Sequence, residues 1–259
     1  MSAPAQDRST ASTFAKGMAI LAAFDGSRPS LTLADLARAT GQDRATARRG
    51  ALTLMQLGYL CQDGRDFRLT PKVLMLAGGF LQANRFGRDV QPVLNHYAAE
   101  LGHEITLATR DEHQVLLLAQ SAVQNGPVSF GFTLGSRLPL LHTGLGRMLL
   151  ACEADAGPLV QAAPLPQHTA ESLQYRAAIL AAVATIRDQG FAATDGEFEP
   201  GIVGYALPVS RPGAAPVVVG ASRPRDAATD HGRDDMLRCL RLCAADLRQS
   251  GALDSISAA

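Results

Sequence analysis

Residues 32–69 read TLADLARATGQDRATARRGALTLMQLGYLCQDGRDFRL: two short amphipathic patterns separated by a glycine turn, then two apolar runs around a second turn. Thr32 stands where a helix N-cap belongs. Asp35, three residues later, completes a capping-box pattern with Asp in the usual Glu or Gln place. Leu33, Leu36 and Ala37 share one helical face, and Gly41 permits the left-handed exit that ends such a helix. Asp43 caps a second helix, whose Ala47, Ala51, Leu54 and Met55 face inward. Tyr59-Leu60 and Phe67-Arg68-Leu69 read as strands about Asp63-Gly64-Arg65, a hairpin signal. Helix, tight turn, helix and hairpin in this order predict a winged helix-turn-helix over residues 13–70.

The outward residues of the second helix suit double-stranded DNA. Thr46, Arg49 and Thr53 line one face, with Arg44, Ala45 and Arg48 beside them. Short polar groups and guanidinium forks near a helix N-terminus are what major-groove reading needs, because arginine bonds bidentately to guanine or phosphate. Arg65 is expected at the wing tip, within reach of a phosphate or the minor groove. Lys16, on a helix predicted over Phe14–Phe24, and Thr32 complete the candidate DNA contacts.

The 259 residues carry 24 Lys or Arg and 24 Asp or Glu, so the chain as a whole is not a strongly basic nucleic-acid binder. The distribution is uneven: residues 1–70 hold nine Lys or Arg against six Asp, a balance of +3, leaving −3 for the rest. A mildly basic head on a mildly acidic body fits a regulator. The N-terminus MSAPAQDRSTAST lacks the apolar core of a signal peptide, and no apolar run reaches membrane-spanning length, so a cytoplasmic location is expected. Cys239 and Cys243 stand one helical turn apart near His231, but no second close pair completes a tetrahedral set. No metal site or cofactor is expected, and Cys61 and Cys152 read as ordinary thiols.

Residues 1–12 are expected to be a disordered tail, 71–86 a linker helix, 87–251 a second domain and 252–259 a flexible tail. Thr70-Pro71 starts the linker, and Gly78-Gly79 within it marks a close helix contact or a bend. Beyond it, helices are predicted over Val90–Leu101, Thr143–Cys152, Ser172–Gln189 and His231–Gln249. Strands are predicted over Glu104–Thr109, Gln114–Ala122, Val128–Leu134, Ile202–Val209 and Pro216–Ala221. Strands interleaved with such helices give an α+β domain, an antiparallel sheet backed by helices.

Two stretches of that domain carry candidate chemistry. In GSRLPLLHTGLGRMLL, residues 135–150, Gly144-Leu145-Gly146 opens a helix behind Thr143. Its first N–H groups form an anion site, with Arg137 as cation and Thr143 as hydroxyl, unless the segment is a plain tight turn. A dinucleotide fingerprint is rejected, because Leu149 occupies the third glycine position and no βαβ unit surrounds it. In ATDGEFEPGIVGYALP, residues 193–208, Asp195, Glu197 and Glu199 alternate. They are either an acid–base or metal pair or a solvated turn. No catalytic triad or zinc signature is present, so the chain is not expected to be an enzyme. A hydrolase or isomerase with a dimerising winged helix stays as the alternative, and an interaction protein as a third.

The segments AKGMAILAAF, LTLADLARATGQDRATARRGALTLMQLGYL, FRLTPKVLMLAGGFL, GSRLPLLHTGLGRMLLA and DGEFEPGIVGYALPV together resemble the IclR family of bacterial transcription regulators, nearly end to end. The Arg44–Arg49 run, the Leu-Thr-Pro of the linker and the Gly-Ser-Arg-Leu-Pro turn resemble most the branch that regulates protocatechuate and 4-hydroxybenzoate catabolism. The resemblance implies a GAF-like effector domain over 87–251, a homodimer or tetramer, a palindromic operator and a small organic acid as effector. By position it places the effector pocket at Thr143, Gly144, Leu145 and Gly146, at Asp195 and Glu197, on the strand from Tyr205 to Leu207, and at Gly220 to Ser222. Gly50 and Ala51 depart from the larger apolar residues usual on the recognition helix, which suggests a loosely held helix. Gly220 replaces a serine-like position of some relatives.

Overall fold

The computed structural model describes residues 12–24, 28–122, 132–210, 213–226, 232–253 and 256. It divides into two compact units, residues 1–80 and 81–259.

The first unit is built as α1 (Ser12–Ala22), β1 (Leu31–Thr32), α2 (Leu33–Thr40), α3 (Arg44–Gln56), β2 (Leu60–Asp63) and β3 (Asp66–Leu69), with the strands in the order β1-β3-β2. The capping box is present in full: the Asp35 amide donates to Thr32 Oγ1 at 3.2 Å, and the Thr32 amide to Asp35 Oδ2 at 3.1 Å. Gly41 ends α2 at φ 64°. Asp43 caps α3, accepting from the Thr46 amide at 2.9 Å. These bonds hold the Asp35 and Asp43 carboxyls below their usual range, with Thr32 and Thr46 the leading causes. The wing turn has Gly64 at φ 59° as its first central residue, with Asp63 paired to Asp66. Gly64-Arg65, not Asp63-Gly64, is therefore the two-residue loop, an arrangement that suits a right-twisted hairpin.

The recognition helix is not loosely held. Ala47 and Ala51 are fully buried with Ile20, Leu36, Leu54 and Phe67. Gly50 is small because α1 lies against it: a Cβ there would stand 2.4 Å from Ile20 Cδ1. Gly50→Leu is accordingly expected to destabilise the first unit by about 1–3 kcal/mol through overpacking. Gly50→Ala is expected to be near neutral, since the methyl meets only the flexible end of Ile20 while helix propensity rises by ~1 kcal/mol. Chemical denaturation of both variants checks the pair; equal losses would show that backbone, not Ile20, sets the limit.

The predicted linker helix is interrupted at each end. Pro71–Val73 form a 3₁₀ turn capped by Thr70, α4 spans Leu74–Ala83, and Arg85 takes φ 52° before a π turn at Phe86–Val90. α4 runs through Gly78-Gly79, and among the described residues nothing lies within 4 Å of where either Cβ would be, so the pair marks no close contact there.

The second unit holds α5 (Gln91–Leu101), β4 (Ile105–Asp111), β5 (Gln114–Gln120), β6 (Arg137–Pro139), α6 (Gly144–Cys152), α7 (Gly157–Ala162), α8 (Arg176–Gln189), β7 (Ala192–Asp195), β8 (Ile202–Pro208), β9 (Val217–Pro224) and α9 (Arg233–Gln249). The strands form one antiparallel sheet in the order β6-β5-β4-β9-β8-β7. Each face is covered by helices. Ile105, Leu107, Leu207, Val217 and Val219 pack with α5 and α9; Ala108, Val115, Ala206 and Val218 pack with α6, α7 and α8. Tyr97 Oη donates to Asp246 Oδ2 at 2.7 Å, tying α5 to α9, and burial pushes its hydroxyl up to about 12. Cys239 and Cys243 are buried thiols of this core, pushed up by burial to about 11 and about 12.

Several sequence expectations shift. The helix predicted from Ser172 begins at Arg176, because Thr169 and Ser172 donate instead to the carbonyls of Gly196 and Glu197, both at 2.6 Å. The strand predicted over Val128–Leu134 lies mostly outside the described residues, and its described end, 132–134, is not a strand. The disordered tail predicted over 1–12 lies outside them except for Ser12, and His231 lies outside them too. In the segment expected to be a flexible tail, Ala252, Leu253 and Ile256 are buried in the α5/α9 core.

Candidate functional site

Two sites emerge, one in each unit. In the first, α3 and the wing present a cationic groove. Arg44, Arg48 and Arg65 line it together with Thr32, Leu52 and Gln62. Arg44, Arg48 and Arg65 are exposed and make no ion pair among the described residues. Thr46, Arg49 and Thr53 turn to the other side of α3, where they share a second groove with Lys16 and Phe14 of α1. Arg49 donates to Thr46 Oγ1 at 3.1 Å, and Thr53 Oγ1 donates to the Arg49 carbonyl at 3.0 Å. Thr32 is occupied as a helix cap. Ala45 is exposed between the two sides. Leu52, which sequence reasoning passed over, is 40% exposed in the middle of this surface. An apolar residue that faces water at a core-like spacing is the signal that would have found it, and it suits a thymine methyl.

In the second unit a cavity opens between the sheet and the start of α6, with an empty volume of about 710 Å³ including its mouth. Its floor is the α6 face of the sheet: Thr106 on β4, Thr194 on β7, Gly204 on β8, and Gly220 and Ser222 on β9. Gly204 pairs with both Thr194 and Ser222, and Gly220 with Thr106, so these residues form adjoining rows. Gly144 and Leu145 form one wall and Leu117, Phe132, Leu138 and Phe198 an apolar one.

Thr143 caps α6. Its Oγ1 accepts from the Gly146 amide at 3.1 Å and donates to the Pro139 carbonyl at 2.8 Å. That leaves the Gly144 and Leu145 N–H groups, the helix's positive end, without a hydrogen-bond partner among the described residues. The α6 start is close-packed: a Cβ on Gly144 would meet the Gly204 carbonyl oxygen at 3.2 Å, and one on Gly220 the Tyr205 carbonyl oxygen at 2.6 Å and Leu145 Cδ2 at 2.8 Å. Glycine rather than serine at 220 is what this contact requires.

Of the predicted pocket residues, Thr143, Gly144, Leu145, Glu197, Tyr205, Gly220 and Ser222 line the cavity. Four do not. Arg137 lies at the far edge strand and pairs with Asp111 at 2.7 Å. Asp195 pairs with Arg225 at 2.6 Å and is exposed. Gly146 faces away, where a Cβ would be 2.1 Å from the Leu140 carbonyl oxygen. Leu207 belongs to the α5/α9 core, the face opposite its neighbour Ala206.

The cavity is therefore not cationic. Glu104, Glu197 and Glu199 line it, with no Lys or Arg among its described lining. Burial pushes the Glu197 and Glu199 carboxyls up; Arg147 opposes the shift only at Glu197. Arg147, 3% exposed, donates to Glu197 Oε2 and, at 3.0 Å, to the Leu141 carbonyl. Glu104 accepts from Gln120 Nε2. Sequence reasoning also passed over His142, which is fully buried in the wall. Its ring stacks edge-on against His168, which in turn meets Phe198, both at 5.1 Å between centroids. Burial holds His142 below the usual imidazole range. A polar residue standing just before a helix cap inside an apolar run was the available signal.

A winged helix joined to a helix-backed sheet with a cavity at a helix start is the arrangement of a transcription regulator with a sensing domain. The comparisons agree. The description "Bacterial transcriptional regulator IclR C-terminal" matches residues 81–249, and "IclR helix-turn-helix domain" matches residues 13–64. The chain belongs to the IclR family of bacterial transcriptional regulators. It is 32% identical over 199 residues to the "Pca regulon regulatory protein" of Pseudomonas putida, covering 76% of this chain and 68% of that protein. It is 31% identical over 201 residues to the "p-hydroxybenzoate hydroxylase transcriptional activator" of Acinetobacter baylyi, covering 75% and 74%. Among solved structures, the fold matches an IclR family regulator from Brucella abortus at TM-score 0.80 and 20% identity, with 96% of each chain covered. It also matches an IclR homologue from Microbacterium hydrocarbonoxydans crystallised with 4-hydroxybenzoate, at TM-score 0.72 and 21% identity, covering 92% and 98%. The relatives of known role are regulators, not enzymes. No helix among the described residues is long and apolar enough to cross a membrane.

Proposed function

We propose that this regulator responds to a small aromatic acid whose carboxylate sits on the Gly144 and Leu145 N–H groups, and that the start of α6, unpartnered among the described residues, is the observation that carries the reading. Phe132, Phe198, Leu117 and Leu138 offer an apolar wall for the ring. Arg147 neutralises Glu197, which lessens the repulsion an anion would meet. Relatives named as a Pca regulon regulatory protein and as a p-hydroxybenzoate hydroxylase transcriptional activator favour the same ligand class. Arg44, Arg48 and Arg65, with Arg49, Thr46, Thr53, Ala45 and Lys16, contact the operator. The exposed Leu74, Met75, Leu76 and Phe80 support pairing with a second copy, as a palindromic operator with half-sites ~34 Å or a multiple apart requires. The site of action is the cytoplasm. The acid alters operator affinity by as much as it binds the two DNA-binding states differently, through the segment 71–86.

Titrating the protein on its own upstream intergenic DNA, with and without benzoate-type and dicarboxylic acids, tests this. A specific complex whose affinity one aromatic acid shifts by about fivefold or more is the expected result. Specific binding that no acid changes would remove the effector reading and leave the DNA reading in place.

A further inference from the structure

His142 has one ring nitrogen satisfied and one not. Nε2 lies 3.1 Å from the Leu173 carbonyl oxygen. A carbonyl offers only lone pairs, so the nitrogen facing it carries the ring proton. Nδ1 is buried and has no hydrogen-bond partner among the described residues. In the neutral ring Nδ1 is an acceptor, and a buried acceptor left unmade is costly until something donates to it. The groups facing the ring are His168, Arg147 and the Leu173 carbonyl. Burial first of all, and after it the electrostatic influence of His168 and of the Arg147 guanidinium, disfavour a second proton on it. The ring is thus held as an acceptor in the wall of a cavity that Gly144, two residues along the chain and the start of the proposed carboxylate seat, also lines.

We infer that His142 selects for a hydroxylated acid: its Nδ1 accepts a hydrogen bond from a hydroxyl of the same ligand whose carboxylate rests on Gly144 and Leu145. The inference rests on the effector reading above and adds the ligand's second polar group and the residue that reads it. A site built to pair a hydroxyl discriminates strongly against the analogue lacking it, because the buried acceptor is then left unpaired.

Calorimetric titration of the full chain with benzoate, 3-hydroxybenzoate and 4-hydroxybenzoate, on the wild type and on His142→Phe, tests it. At least one hydroxybenzoate is expected to bind the wild type about tenfold more tightly than benzoate, and the variant is expected to lose that preference. A preference that survives in His142→Phe overturns the inference, and Glu104, Glu197 or Glu199 is then the hydroxyl acceptor. Equal binding of benzoate and both hydroxybenzoates by the wild type overturns it while leaving the carboxylate reading intact; binding of no acid overturns both. Should His142→Phe fail to fold, ¹⁵N spectra of the wild-type imidazole decide. Nδ1 is expected to be unprotonated in the free protein and to shift with a hydroxybenzoate but not with benzoate. A protonated Nδ1 in the free protein overturns the inference.

Discussion

Arg48→Ala is expected to weaken specific operator binding by on the order of 10- to 100-fold, the equivalent of about 1–3 kcal/mol for a lost arginine contact. Arg48 is exposed on α3, shares the groove with Arg44 and the wing-tip Arg65, and makes no ion pair among the described residues. Its guanidinium is therefore available to DNA without first breaking a bond in the protein. Arg49 differs, since it already donates to Thr46 Oγ1. The salt dependence tells what Arg48 touches. A phosphate contact weakens binding on all sequences alike and lowers the salt slope by about one, whereas a base contact relaxes specificity at one operator position. Anisotropy titrations at several salt concentrations, on operator and on scrambled DNA, make the measurement. Unchanged operator affinity in an Arg44→Ala/Arg48→Ala double variant would remove this groove from the interface.

The reading head was almost wholly legible in the sequence because its determinants are local. A capping box, a left-handed glycine exit, an Asp cap and a glycine-bearing hairpin turn each act over three or four residues, and all are in place, the turn centred on Gly64-Arg65 rather than on Asp63-Gly64. What was misread there depended on distant contacts. Gly50 suggested looseness, but its size is set by Ile20, thirty residues away in the chain. The cavity was legible at the α6 start for the same local reason, a Thr cap before small residues. Its other walls depend on which strands pair. Strand alternation sends Leu207 to the α5/α9 core and Ala206 to the α6 side, which a reading of the whole Tyr205–Leu207 segment as pocket overlooks. Arg137 looked like the cation because it stands near Thr143 in sequence, yet β6 carries it to the sheet edge and to Asp111. The cation that matters electrostatically is Arg147, and its partner Glu197 is 50 residues away.

Arg147→Met is expected to cost the second unit about 3–5 kcal/mol near neutral pH, because it strands Glu197 as a buried charge. Both side chains are nearly enclosed, and Arg147 also holds the Leu141 carbonyl at 3.0 Å. The pH dependence gives the test its sign. Burial raises the Glu197 carboxyl in the folded protein despite two opposing contributions from Arg147. A carboxyl whose folded pKa is raised favours folding below its unfolded value and loses that contribution as pH rises through the folded one. Removing Arg147 raises it further, so the variant's deficit is greatest at neutral pH and shrinks as acid protonates Glu197 and leaves no charge to compensate. Urea midpoints of wild type and variant at about pH 5 and about pH 7.5 make the comparison. A deficit that is constant, or that grows in acid, would show that Arg147 acts through packing and the Leu141 carbonyl alone. Arg147→Met/Glu197→Leu is expected to recover most of the stability, since a well-packed apolar pair replaces a buried ion pair at little cost. The single variant would then carry a second consequence for the ligand. With Glu197 ionised and unpaired in the cavity wall, an arriving carboxylate meets a like charge, so acid binding by Arg147→Met should improve as pH falls through the Glu197 pKa, while the double variant should show a weaker dependence, the part left to Glu104 and Glu199.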